Sequence, residues 1–427
     1  MFEPLLFFVF SYSDNFLGVS LSISRILQIL VLFLLAFSFI IKLGGNKKIV
    51  VENNFFPENK YLVLYFLLLI LASFLGIVNG SYNLPAQTNL FDTGMAHPYL
   101  MRSVFEYIII IFNIFYFVIL PRNLIKTKID FDYFFSVFKF FLITSIIIGY
   151  ADYVLARLEI IDLVTRHIRD GVGIGGRFHG ISGEPRQAAV HMVFNISMYI
   201  LYCQYFEVKI KLWVMFLILL SLILTTSMSL FIGILVFSIF LIIFKLIKLK
   251  YILILLVIIT SMLSINYVQN YKNYLMTVWQ ILEAKEELPY FLQILDGEIY
   301  PIYDFIKKIQ NFELVTVFFG NGPGSASAIN NFYIGDYLSA RNPNAQIVRS
   351  LSDSGILGTL VFVISMVWPI KYFTRNTDKK TRNLYIVSML MVLSVTFAVR
   401  SSVVFMYLGI LTAYLHYNEK KIKYKYF

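Results

Sequence analysis

The stretch YLVLYFLLLILASFLGIVN, residues 61–79, holds no charged side chain and is rich in leucine, isoleucine and valine. As a helix it is long enough to cross a hydrocarbon core of about 30 Å. Working outward, comparable apolar runs fall near residues 4–19, 22–41, 102–120, 132–150, 188–206, 212–226, 228–245, 251–267, 352–370, 383–399 and 401–417. Together they predict an all-α polytopic membrane protein with about 12 transmembrane helices. The composition agrees, since 59% hydrophobic residues, 14% charged residues and a mean hydropathy of +0.74 exclude a soluble chain of 427 residues. Ser11, Ser13 and Asp14 make the first run the most polar. Thr225, Thr226, Ser227 and Ser229 mark the turn within 212–245, where a single tilted helix would change the count by one and invert the topology.

The basic residues argue against that inversion. Lys42, Lys47, Lys48 and Lys60 form one cluster; Arg122, Lys126 and Lys128 another; Lys209 and Lys211, then Lys245, Lys248 and Lys250, follow. Lys371, Arg375, Lys379, Lys380 and Arg382, and finally Lys420, Lys421, Lys423 and Lys425, complete the set. With both termini inside, all fall on one side, as the positive-inside bias requires. Lys139 lies close enough to the inner end of its span to snorkel. The first run lacks the charged start and cleavage pattern of a removable signal peptide and reads as a retained span, so the expected place is an inner or plasma membrane. Most of the net charge of +11 belongs to these loops, which suits anionic lipid headgroups as partners and not nucleic acid. Cys203, the single cysteine, excludes a disulfide or a cysteine metal site within one chain.

No internal repeat or linker divides the chain, so 1–427 reads as one transmembrane domain with two elaborated outer loops. The first, 151–187, carries Arg157, Arg166, Arg169, Arg177 and Arg186 but no lysine. Arginine's planar fork suits phosphate or carboxylate ligands. Its end, GRFHGISGEPRQAA at 176–189, leads into a hydrophobic helix. The second loop, 268–350, is too long to be a simple connection. Amphipathic helices are expected near 274–288 and 301–313, either lying on the bilayer surface or packing structurally. After them come FFGNGPGSA at 318–326 and ARNPNAQIVRSLSDSGILG at 340–358. The glycines at 320, 322 and 324 permit a tight turn. The segment fits neither a Walker A loop nor a Rossmann fingerprint.

RFHGISGEPRQAA at 177–189, GNGPGS at 320–325 and NAQIVRSLSDSGILG at 344–358 together resemble the O-antigen polymerase (Wzy) and O-antigen ligase superfamily. The family's late motif runs histidine, then Asn, Ser or Gln, nine residues, glycine, two residues and a small residue. Asn344 stands at the histidine position here, and Gly355 and Gly358 complete the pattern. Because the ligases use that histidine, the departure favours a repeat-unit polymerase. The resemblance implies a GT-C-like architecture and a site facing the periplasm. It also implies transfer of a growing glycan from undecaprenyl diphosphate to the non-reducing-end sugar of a lipid-linked repeat unit. Undecaprenyl-diphosphate-linked glycans are then the substrates, and a polysaccharide chain-length regulator a possible partner. A ligase acting on lipid A core and a lipid-linked oligosaccharide flippase are the alternatives.

Such a reaction releases a diphosphate whose growing charge cationic donors stabilise. Arg177 is the first candidate, with Arg186, Arg341 and Arg349 behind it; an interfacial arginine paired with Asp170 or phospholipid is the plain alternative. Glu184 is the candidate base, or a salt-bridge partner or cap before Pro185. Asp353 is its rival, or a helix cap. His179 and Asn344 are candidate contacts to the glycan, while His191 reads as packing and Arg400 as a hairpin cap. Five histidines without paired spacing give no zinc motif, and no cofactor is expected.

Overall fold

The run at 61–79 forms the body of helix α1 (Phe55–Val78). Leu62, Tyr65, Leu69 and Ala72 repeat at helical spacing and are buried on one face, while Leu67, Phe74 and Ile77 point outward. The computed structural model describes residues 55–79, 85–86, 97–158, 178–182, 185–225, 296–326, 346–375, 377–396 and 402–425, with positions 30, 31, 33, 34, 160, 163, 243 and 329. Strands β1 (Pro85–Ala86) and β2 (His97–Pro98) pair antiparallel, Pro85 with Pro98 and Ala86 with His97. Every other described element is helical: α2 (Tyr99–Asn113), a π-helical turn (Ile114–Ile119), α3 (Leu120–Leu124), α4 (Lys128–Arg157), a 3-10 turn (Gly180–Ser182), α5 (Pro185–Tyr205), α6 (Leu212–Leu224), α7 (Asp296–Gln310), α8 (Leu314–Phe319), α9 (Gln346–Phe373), α10 (Lys379–Thr396) and α11 (Ser402–Lys425).

By length and composition, 4 of the described helical segments can cross a membrane: Glu58–Val78, Glu106–Leu124, Lys128–Arg157 and Val348–Phe373. They coincide with the spans expected near 61–79, 102–120, 132–150 and 352–370. This is the pattern of a polytopic membrane protein. The runs at 188–206, 212–226, 383–399 and 401–417 also correspond to helices, α5, α6, α10 and α11. The spans expected near 4–19, 22–41, 228–245 and 251–267 lie outside the described residues, apart from single positions. So do most of 151–187 and of 268–350, including the helix expected at 274–288; the helix expected at 301–313 is met by α7. The outer surface exposes Ile108, Ile111, Phe115, Phe140, Ile147, Trp213, Phe216, Leu360 and Ile364, an apolar periphery suited to lipid.

The core sits around α11, buried almost all round from Val403 to Leu415, as a helix at the centre of a bundle must be. It packs against α5, α9, α10 and the π-helical turn, and α9 lies along α1. The π-helical turn has a local cause. Pro121 has no N–H for the carbonyl of Phe117 four residues back and its ring crowds that oxygen, and the ladder widens, with Leu120 N–H donating to the Phe115 carbonyl. Gly409 of α11 meets the released Phe117 oxygen: a Cβ at 409 would lie 1.7 Å from it. Glycine is therefore required for these two segments to touch.

Helix direction brings the basic clusters together. Arg122 of α3 pairs with Glu58 of α1 and covers the Phe373 ring at the end of α9 at 5.7 Å. Lys60 lies over Trp368 at 4.4 Å, and Arg375 pairs with Glu419 of α11 at 3.5 Å. Tyr205, at the end of α5, donates to Asp132 Oδ1 near the start of α4 at 2.8 Å. One end of the bundle thus gathers Lys60, Arg122, Lys128, Lys371, Arg375 and Lys379. The FHGIS segment at 178–182 and the GNGPGS and SLSDSGILG segments belong to the opposite end.

Candidate functional site

Two segments about thirty residues apart in sequence close on each other there. α8 ends at Gly320 with φ +76°, and Gly322 and Gly324 follow at +91° and +90°. Opposite this turn α9 breaks: Gly355 adopts φ 62° and ψ −171°. An unbroken helix would engage the carbonyls of Ser352 and Asp353 with amides four residues on, so the break releases them. The turn supplies the replacement donors, Asn321 N–H to Ser352 O at 3.0 Å and Gly322 N–H to Asp353 O at 2.9 Å. Neither glycine at the crossing can be replaced without displacement. A Cβ at Gly355 would lie 2.4 Å from the Phe318 carbonyl, and one at Gly320 would lie 2.6 Å from the Gly355 nitrogen.

The Asp353 side chain clamps the same turn. Its Oδ1 accepts from Gly324 N–H at 2.9 Å and from Ser325 Oγ at 3.1 Å. Its Oδ2 faces Arg349 Nε, one helical turn back, at 3.5 Å. Arg349 in turn donates from Nη2 to Glu106 Oε1 of α2 at 2.5 Å. Glu106, Arg349 and Asp353 are 3%, 7% and 5% exposed. Removing charges from water this completely is costly and is offset only by close pairing. Two carboxylates share one guanidinium. Tyr65 of α1 is buried and stands in the field of Asp353 beside Ser354.

A second group forms around α4 and α5. The 3-10 turn Gly180–Ser182 packs on both helices. Gly149 of α4 provides the close approach, because a Cβ there would meet Phe178 Cζ at 2.8 Å and Gly180 Cα at 3.2 Å. Phe178 N–H donates to the Leu224 carbonyl at the end of α6 at 2.9 Å, and its ring lies against Tyr150 and Tyr153. Asp152, 1% exposed, lies one turn beyond Gly149 on the same buried face. His179 is buried in the adjoining turn.

The sequence-derived residues therefore divide. Asp353 and Arg349 come together, in contact with each other and with the glycine turn. His179 sits in the second group. The backbone of Arg186 opens α5. Arg177, Glu184, Arg341 and Asn344 lie outside the described residues, as does Arg400. Arg349, expected to meet substrate, is bonded to the Glu106 and Asp353 carboxylates, and the Asp353 carboxylate accepts from backbone and side-chain donors of the turn. Glu106, Asp152 and Tyr65 were not singled out from sequence. A glutamate within the run 102–120, otherwise strongly apolar, was the available signal for Glu106. The described residues hold no cluster of three or more His, Cys, Asp or Glu side chains able to bind a metal ion.

Comparison with family models, with curated proteins and with solved structures finds no match to this chain.

Proposed function

We propose that this chain is a repeat-unit polymerase of O-antigen, capsule or exopolysaccharide synthesis, with about 12 spans in a GT-C-like arrangement and its site on the periplasmic face of the bacterial inner membrane. The observation that carries the reading is the junction of GNGPGS with SLSDSGILG around the buried Glu106, Arg349 and Asp353, at the end opposite the lysine clusters. Ionised groups buried in a membrane bundle are functional by default. The positive-inside bias puts the lysine clusters in the cytoplasm and this junction outside.

In the reaction, a sugar hydroxyl of the lipid-linked acceptor attacks the anomeric carbon of the donor glycan. The new C–O bond forms as the bond to undecaprenyl diphosphate breaks, the hydroxyl proton passes to a carboxylate, and undecaprenyl diphosphate leaves with the electron pair. A cluster with two carboxylates to one guanidinium suits the acceptor side, where a proton is released, better than the diphosphate side. Stabilising the leaving group then falls to Arg177, with Arg186 and Arg341 as the further candidates. Glu184 remains the candidate base next to Arg186, while Asp353 holds the turn. Buried ion pairs confined to the two ends of the described helices favour transfer over passage of a headgroup through the bundle, and Asn344 in place of histidine favours polymerisation over ligation to lipid A core.

Purified protein supplied with undecaprenyl-diphosphate-linked repeat units should lengthen them without any nucleotide sugar. Arg177→Ala should lower that rate by roughly 100–1,000-fold, the scale of losing one transition-state donor, and Arg177→Lys should restore only part of it. Transfer of single units to lipid A core would establish a ligase instead, and movement of repeats across vesicles without lengthening would establish a flippase.

A further inference from the structure

A chain of contacts runs from one membrane helix to the glycine turn. Glu106 on α2 holds Arg349 Nη2 at 2.5 Å, Arg349 Nε faces Asp353 Oδ2 at 3.5 Å, and Asp353 Oδ1 takes Gly324 N–H and Ser325 Oγ at 2.9 and 3.1 Å. Each link is buried, and successive links use different atoms of the middle residues. Arg349 is one helical turn from Asp353 on the same helix, so that pair alone cannot fix where the broken end of α9 sits in the bundle. Glu106, 243 residues from Arg349, supplies the external reference. The turn's own geometry is permissive, with three glycines at positive φ. Two of its amide hydrogen bonds, those of Asn321 and Gly322, end on carbonyls that exist as free acceptors because α9 breaks at Gly355.

We propose that Glu106 is a positioning residue: acting through Arg349 and Asp353, it sets the register of the Gly320–Ser325 turn against the broken helix α9. Its weight in turnover rests on the glycan-transfer reading, with the turn as part of the acceptor surface; the coupling of Glu106 to the turn does not. Glu106 is shielded within the bundle, so it works on the turn and not on the sugar. An anionic partner anchors a guanidinium in a fixed direction more firmly than a neutral amide does. Glu106→Gln keeps the size of the side chain and removes that charge.

The test uses the full-length protein in detergent or nanodiscs, with hydrogen exchange followed by mass spectrometry and turnover measured on the same samples. In Glu106→Gln, amides of the 318–326 peptide should exchange about tenfold faster, the step expected when a charge-assisted hydrogen bond becomes neutral. Peptides from α5 and α11 should keep the parental rate. Arg349→Lys should produce a similar change, and the double variant should exceed neither by more than about twofold, as serial links in one network require. On lipid-linked repeats, kcat should fall about tenfold or more while acceptor KM stays within about twofold. Unchanged exchange at 318–326 in Glu106→Gln overturns the proposal. So does faster exchange spread equally over α5 and α11, which assigns the residue a general structural role. Losses that multiply in the double variant overturn the serial arrangement. A parental protein that shows the coupled exchange but never lengthens repeats removes the transfer reading and, with it, the catalytic half of the proposal, leaving the coupling in place.

Discussion

The two ends of the bundle use the same pair of chemical groups to different effect. At the basic end, Arg122 meets Glu58. Glu58 lies in the first turn of α1, where the helix dipole also favours an anion, and the face of Arg122 rests on Phe373. The helix that carries Glu58 runs unbroken there, and the π-helical turn leads into the short helix that carries Arg122. At the opposite end, Arg349 serves two carboxylates, and the helix that carries it is broken. The turn beside it consists largely of glycines at positive φ. Unusual backbone and a buried cluster of charged side chains coincide in one place, as they do at sites whose geometry is held for use and not for stability alone. Arginine–carboxylate pairing by itself is therefore no mark of a site in this protein. Sharing of one guanidinium by two carboxylates beside a break in a membrane helix is what sets the opposite end apart.

The strongest way to sharpen the comparison is to remove each arginine. Arg349→Ala removes the guanidinium that both Glu106 and Asp353 contact in a buried place, and breaking a buried pair in this way costs about 3–5 kcal/mol. Arg122→Ala should cost less, because Arg122 is 13% exposed and Glu58 retains the Asn59 amide at 3.3 Å. Urea or thermal unfolding in detergent measures both. Equal losses would erase the distinction drawn between the ends.

Gly355→Ala comes next. An L residue at φ 62° costs about 1–2 kcal/mol, and the added Cβ also meets the Phe318 carbonyl at 2.4 Å. A destabilisation of about 2 kcal/mol or more is expected, with faster exchange in 318–326. If Gly355→Ala instead stabilised the protein, α9 would be closing into a continuous helix and the break would not be required by the neighbouring turn.

The sequence made the helices legible and left the cluster half hidden. Uncharged runs such as 61–79 announce buried helices because every backbone group in lipid must be bonded within its own segment. The glycine turn was legible from Gly320, Gly322 and Gly324, and Asp353 from its place after them. That Gly355 interrupts α9 was not, since a lone glycine in an apolar run is ordinarily tolerated within a helix. Glu106 was hidden for a different reason. Its role is defined by a residue 243 positions away, and periodicity within one segment carries no information about such a pairing. Arg349 could be recognised as unusual but not as already bonded. The π-helical turn had a visible cause in Pro121, whereas its fit to Gly409 depends on tertiary packing.

A smaller effect tests whether the ends act independently. At the start of α4, Thr127 Oγ1 accepts from Asp130 N–H at 3.3 Å, and Asp130 Oδ2 accepts from Thr127 N–H at 2.8 Å. Thr127→Ala removes half of this reciprocal cap and should cost about 1 kcal/mol. Exchange of the 318–326 peptide should not change. Faster exchange there would show that loosening the basic end is felt across the bundle, against the separation argued above.

The smallest effect belongs to Asp378, in the turn between α9 and α10. Its Oδ2 accepts from the Thr381 N–H at 2.8 Å, and that backbone hydrogen bond holds the carboxyl below the ordinary aspartate range. A native value below the unfolded one means that the folded protein binds fewer protons in this window, so stability from the group is complete above the unfolded value of about 3.9. It fades as pH falls through the lower native value. Asp378→Ala should therefore unfold slightly more easily than the parent at neutral pH, and the gap should narrow only on acidification below about pH 4. Paired unfolding curves across that range read the difference directly. A gap that stays constant into strong acid would show that the carboxylate's charge contributes nothing to the cap. A change in the 318–326 exchange pattern at neutral pH would break the comparison, because Asp378 lies among the basic clusters and touches none of the contacts that join Glu106 to the glycine turn.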